Sequence, residues 1–140
     1  MDAFVSLVAK HKFYRNGFRT NLDKDPTHHR KDRNGRTWIL YKYAPFSNTV
    51  RKGAILDCVQ EMLGPTINAV CLNRKRASSP PMARHRDGKN SGPSWVCIWG
   101  DFEGGGELML EDGTVYAEKN VWHGPMNAAA VEHWVAPHKK

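Results

Sequence analysis

The chain is expected to fold as one α+β domain with a mainly antiparallel β core. Two observations predict this: one stretch of helical apolar spacing near residues 49 to 63, and after it a run of β-rich segments separated by turn signals. A length of 140 residues suits one domain, near the lower edge for a β fold that encloses a ligand. Residues 1 to 65 are read as a support region and residues 66 to 140 as the β core.

The opening "DAFVSLVAKHKFYRNGFRT" reads as short strands and turns, with an Asn-Gly turn at Asn16 and Gly17. A second such turn, Asn34 and Gly35, precedes an expected strand over residues 36 to 43. Between them, His28, His29, Arg30, Lys31 and Arg33 read as a basic loop. The helix over about 49 to 63 follows from Val50, Ala54, Ile55, Cys58, Val59, Met62 and Leu63. Ser47 or Asn48 would cap its start, and Gly64 with Pro65 would stop it. From Thr66 the period changes: "TINAVCLNRK" and "SWVCIWGDF" read as strands, and "GELMLEDGTVYAE" as a hairpin turning at Asp112 and Gly113. The last stretch, "NVWHGPMNAAAVEHWVAP", reads as two short strands around a loop at Gly124 to Asn127.

Composition narrows the function classes. No apolar run approaches a membrane span, and "MDAFVSLVAKHK" turns polar too early for a cleavable leader, so an intracellular chain without a membrane partner is expected. Cys58, Cys71 and Cys97 form no C-x-x-C pair, which argues against structural zinc and a disulfide framework. The net charge of +7 is uneven: residues 1 to 90 carry 18 Lys and Arg against 7 Asp and Glu, whereas residues 91 to 140 carry 3 against 7. The basic first part suits an anionic partner, nucleic acid or an acidic protein, and a solvated basic surface is the plain alternative.

The chemistry-bearing pattern is "ARHRDGKN". His85 and Asp87 are two positions apart, so on a strand they share a face. Of the downstream histidines, His133 is the best third ligand, because it lies in the β-like run "AVEHWVAP". His123 precedes a Gly-Pro pair, and His138 lies near the end. Two imidazoles and one carboxylate on one face of an iron leave three positions open, the arrangement of non-heme Fe(II) oxygenases.

The stretch "CLNRKRASSPPMARHRDGKNSGPSWVCIWGDFEGGGELML" resembles the core of the 2-oxoglutarate and Fe(II)-dependent dioxygenase superfamily. The likeness rests on Asn73 and Arg74; His85 and Asp87; Asn90, Gly92 and Ser94; and Gly100, Asp101, Phe102, Gly104, Gly105 and Leu108. "EHWVAP" resembles the strand of the distal histidine, with His133 matching it, and the pattern is similar to that of the TET/JBP-like branch, which acts on modified bases. The resemblance spans roughly residues 66 to 138. It implies a double-stranded β-helix (jelly-roll or cupin-like) with a helix packed on it. It also implies Fe(II) held by His85, Asp87 and His133, 2-oxoglutarate as cosubstrate, and Asn73, Asn90 and Ser94 as polar contacts near the cofactor, with a turn role the plain alternative for Asn90 and Ser94. The implied reaction couples oxidative decarboxylation of 2-oxoglutarate to hydroxylation or demethylation of a substrate that the motifs do not encode.

One departure stands out. Members of this superfamily grip the distal carboxylate of 2-oxoglutarate with an Arg or Lys on the strand after the distal histidine, but only seven residues follow His133. Lys139 and Lys140 come too early. The resemblance therefore implies a C-terminally truncated core missing its last strand, with an exposed sheet edge and weakened cosubstrate binding; a diverged protein that binds cosubstrate differently and an inactive fold kept for binding are the alternatives to a truncated piece of an active parent. The rival from another class is a non-catalytic β domain that binds nucleic acid or an acidic protein. A cupin-like zinc or manganese protein would keep the ligands and ignore 2-oxoglutarate. A His-metal nuclease would want closely paired ligands that the sequence lacks.

Overall fold

The computed structural model describes residues 1–39, 46–74, 82–100, 102 and 104–136. The first element is a helix, α1 (Asp2–Ala9), where short strands were expected. Phe4 and Val8 sit one turn apart and are both buried, and that pair decides the conformation once a second helix offers them a surface. After two single 3-10 turns, Thr20–Leu22 and Pro26–His28, the basic segment forms a hairpin rather than a loop. Its strands are β1 (His29–Lys31) and β2 (Thr37–Ile39), paired antiparallel. The Asp32 carboxylate shapes the connection by accepting the backbone N–H groups of Asn34 and Arg36, both at 2.9 Å. The expected continuation over residues 40 to 43 lies outside the described residues.

Strand β3 (Phe46–Val50) precedes helix α2 (Ala54–Leu63), so the helix begins five residues later than its apolar spacing suggested. Ser47 and Asn48 are strand residues here, not caps. The reason is tertiary. Residues 46 to 50 pair antiparallel along their whole length with β4 (Val70–Arg74), and Val50 meets Val70 across that ladder. Gly53, with φ of +98°, turns the chain from strand into helix. The C-terminal stop is where expected: Gly64 has φ of +112° and its N–H donates to the Gln60 carbonyl at 2.8 Å. Ile55, Leu56 and Val59 bury one face of α2 against Phe4 and Val8 of α1 and Val70 and Leu72 of β4.

The second half is built of β5 (Ser94–Cys97), β6 (Leu108–Leu110), β7 (Val115–Tyr116), β8 (Trp122–Met126) and β9 (His133–Val135). The hairpin at Asp112 and Gly113 is as expected, joining β6 to β7. The final loop is later than expected: Gly124 to Met126 belong to β8, and the chain turns after Asn127. Strand β5 pairs with β8, and β6 lies between β7 and β9, all antiparallel. Leu108, Leu110, Met126 and Ala128 form a second core beneath these strands. Phe4 links the two halves, its ring packing on Trp99 and Trp122 at centroid distances of 5.6 and 5.5 Å.

The architecture is therefore mixed α and β, with two helices and small antiparallel sheets; among the described residues these sheets do not close into a barrel. No helix among them is long and apolar enough to cross a membrane.

Candidate metal centre

The segment around residues 83 to 87 runs antiparallel to β9. His85 and His133 form an antiparallel bridge, with His85 N–H donating to the His133 carbonyl at 3.0 Å and the reverse bond at 2.9 Å. Asp87 N–H extends the pairing to the Ala128 carbonyl at 2.9 Å. Alternation along the strand sorts the side chains of "RHRD" onto two faces. Arg84 and Arg86 point outward, where Arg84 meets the Glu132 carboxylate at 2.6 Å and lies 4.2 Å over the Trp134 ring, and Arg86 reaches Glu111 and Glu132 at 3.5 Å. His85 and Asp87 point inward to join His133, and both imidazoles are buried.

Each imidazole is held the same way. The Nδ1 of His85 lies 2.7 Å from the carbonyl of Ala83, and the Nδ1 of His133 lies 2.9 Å from that of Val131. A carbonyl can only accept, so in both rings Nδ1 carries the proton and Nε2 faces the Asp87 carboxylate. His133 Nε2 is 3.1 Å from one carboxylate oxygen, and His85 Nε2 is 3.7 Å from the other. All three ligand atoms lie within 4.8 Å of one another. Adjacent ligands about 2.1 Å from a common ion sit about 3 Å apart, so a small inward movement of His85 would complete the set. The chemistry of the donors fits too, since carbonyl-anchored imidazoles present Nε2 lone pairs beside an anionic oxygen. The His-Asp-His group can hold a metal ion.

The electrostatics divide the two imidazoles. Burial pushes the His85 ring below the ordinary imidazole value; the Ala83 carbonyl and Asp87 oppose this, and the charges of His133 and Arg19 add to it. Burial also works against charge on His133. There the bond to Asp87, the Val131 carbonyl and the Asp87 charge prevail and lift it above that value. Burial would raise the Asp87 carboxyl, but the His133 bond and the charges of His85, His133 and Arg19 outweigh it and hold Asp87 low. Without an ion, then, His133 Nε2 and the Asp87 carboxylate are paired where a metal would otherwise sit.

The other expected site residues lie outside the triad itself. Asn90 follows the triad in a turn, its N–H bonded to the Asp87 carbonyl at 2.9 Å, and is exposed. Ser94 opens β5 opposite Met126. Asn73 lies exposed on β4, with its amide 3.8 Å from Cys71 Sγ. Among the described residues, no side-chain hydrogen bond joins Asn73, Asn90 or Ser94 to the triad. His123, passed over as a ligand, stacks on Tyr116 with centroids 5.0 Å apart. Asp101, His138, Lys139 and Lys140 lie outside the described residues.

The sequence reading missed Arg19. Its guanidinium lies 3.6 Å from Asp87 Oδ1, and it also donates to Ser47 Oγ at 2.6 Å and Cys71 Sγ at 3.5 Å. No local signal singles it out among the cations of "KHKFYRNGFR". Only the packing of that stretch across β3 and β4 brings it to the triad.

Fold and site together define an α+β protein with a two-histidine, one-carboxylate group suited to a metal ion. Comparison of the chain with protein-family models, with curated proteins and with solved structures gives no match.

Proposed function

We propose that this chain is an Fe(II)- and 2-oxoglutarate-dependent oxygenase built on a double-stranded β-helix. The observation that carries the reading is the triad, two imidazoles presenting Nε2 beside one carboxylate and contributed by strand segments 46 residues apart in sequence. That donor set leaves one side of an ion open for a chelating cosubstrate and dioxygen.

Strand pairing gives independent support. Residues 85 and 133 pair, and enclose the β5 and β8 pair, which in turn encloses the β6 and β7 hairpin. Strand β6 then crosses over to β9. Nested antiparallel pairs joined across in this way fit the ribbon of a jelly roll, in which the outer pair would lie over the inner hairpin. Such a winding would account for His85 and Asp87 sharing a site with a histidine so far along the chain.

Bound iron and 2-oxoglutarate would supply the oxidising power, by cosubstrate decarboxylation coupled to hydroxylation of a C–H bond. The protein's part is preparation. The Ala83 and Val131 carbonyls fix both imidazole tautomers, Asp87 would supply the anionic ligand, and His85 and His133 would supply neutral Nε2 donors. Asn73, Asn90 and Ser94 remain the polar side chains proposed for the cofactor's surroundings.

Anaerobic Fe(II) titration with and without 2-oxoglutarate tests the reading. A metal-to-ligand charge-transfer band that depends on both components and disappears in His133→Ala is the expected result. Iron binding with no such band would remove the oxygenase reading and leave a zinc- or manganese-type metal protein.

A second reading rests on the basic N-terminal surface. Tyr14 and Phe18 are 62% and 45% exposed, with Lys12 5.5 Å from the Tyr14 ring centroid and the Arg36 guanidinium 3.8 Å from that of Phe18. Exposed rings flanked by cations suit an anionic macromolecule in a non-catalytic domain, nucleic acid or an acidic protein. Salt-sensitive binding that survives chelation of metal would favour it.

A further inference from the structure

Arg19 contributes a positive charge to a centre that already has few negative ones. Its side chain is 24% exposed and is held in place by Ser47 of β3 and Cys71 of β4, so its position at Asp87 does not depend on Asp87 alone. Ser47 is itself buried, and the 2.6 Å bond from Arg19 satisfies its hydroxyl. When a divalent ion binds, one carboxylate faces both the ion and the guanidinium, while both imidazoles are neutral. The centre then carries an uncompensated charge of about +2. A monocarboxylate on the ion would cancel half of it; a dicarboxylate would cancel it all, and a guanidinium presents paired N–H donors that match a carboxylate.

We infer that Arg19 is a ligand-positioning residue that receives the second carboxylate of a dicarboxylate whose first carboxylate occupies the open side of the metal. This rests on reading the triad as a metal centre, and it adds to the proposed oxygenase a residue from the N-terminal region. A purely structural Arg19, there to neutralise Asp87, makes a different prediction. Removing a structural ion pair weakens the site under every condition. Removing a ligand clamp leaves the ion alone bound as well or better, since a competing cation has gone, and abolishes only the gain from a dicarboxylate.

The test measures Mn(II) binding to the full chain by loss of the free-ion electron paramagnetic resonance signal, with Mn(II) alone and with acetate, succinate or 2-oxoglutarate. Wild type, Arg19→Gln and Arg19→Lys are compared, with melting curves confirming that each is folded. In wild type a dicarboxylate should tighten Mn(II) binding about 10- to 100-fold, the scale of a charge-assisted bond, and acetate should do far less. Arg19→Gln should bind Mn(II) alone at least as tightly as wild type and lose the dicarboxylate effect, and Arg19→Lys should keep part of it. If Arg19→Gln does not fold, a reduced dicarboxylate effect in a folded Arg19→Lys supports the inference, and its full retention there overturns it. If 2-oxoglutarate tightens binding equally in wild type and Arg19→Gln, the inference falls and the oxygenase reading stands. If succinate acts through Arg19 while 2-oxoglutarate does not act at all, the inference stands and the cosubstrate reading falls. No effect of either dicarboxylate on wild type overturns both.

Discussion

His85 and His133 face one another across an antiparallel bridge, each backbone N–H donating to the other's carbonyl, and their rings lie 4.4 Å apart between centroids. Each ring also ties its Nδ1 to the carbonyl two residues before it. The backbone thus sets the ring tautomers before any ion arrives, and a metal that binds here meets a site already arranged.

Removal of a ligand should therefore cost affinity and little fold. His85→Ala and His133→Ala are expected to weaken Mn(II) or Fe(II) binding by about 100-fold or more, given that loss of even an outer-shell partner costs 10- to 100-fold. Calorimetric titration of folded variants checks this. Unchanged affinity in either variant would exclude that ring as a ligand.

Metal binding should strengthen as pH rises. The raised value of His133 means that its protonated form stabilises the fold fully below the ordinary histidine value, and that this contribution is lost as pH climbs through the raised one. An ion needs that same nitrogen deprotonated, so its stabilising effect runs the opposite way. His85 is pushed below the ordinary imidazole value by burial, so a proton competes less with the ion at its Nε2. The metal-induced rise in Tm should grow from about pH 6 to about pH 8, with release of about one proton per ion near neutrality. A rise in Tm independent of pH would contradict the assignment of that proton to His133.

Gly124→Ala should destabilise the pairing of β5 with β8. Gly124 has φ of +135°, and a Cβ there would meet the Ser94 carbonyl at 2.9 Å. The obstacle is backbone, so it cannot swing aside. A loss of about 1–3 kcal/mol is expected from urea unfolding. Wild-type stability in this variant would mean that the two strands are not in the register described.

Leu72→Ala tests the first core. Leu72 is 2% exposed, on the inner face of β4 against α2. A loss of about 2–5 kcal/mol is expected, with the metal affinity of the folded fraction unchanged. A drop in affinity at constant fold would show that the β3 and β4 layer, which also carries Arg19's partners, is coupled to the centre.

Much of this protein was readable from local pattern. The strand alternation of "RHRD" placed His85 and Asp87 on one face, because a two-residue period needs no partner to operate. The Asp112 and Gly113 hairpin and the Gly64 stop were equally local, set by turn chemistry and backbone freedom. Local pattern failed where a distant surface chose between conformations. Residues 2 to 9 became a helix because α2 covers Phe4 and Val8, and residues 46 to 50 became a strand because β4 lies beside them. The same limit governs the site. His85 and Asp87 belong together by sequence alone and the run "AVEHWVAP" singles out His133, but bringing His133 beside them needed strands that pair far along the chain, and the arrival of Arg19 at Asp87 needed the N-terminal stretch to cross β3 and β4. Sequence determines which side chains one strand presents; which other strands and cations meet them depends on burial and pairing summed over the whole chain, and only the tertiary structure decides that.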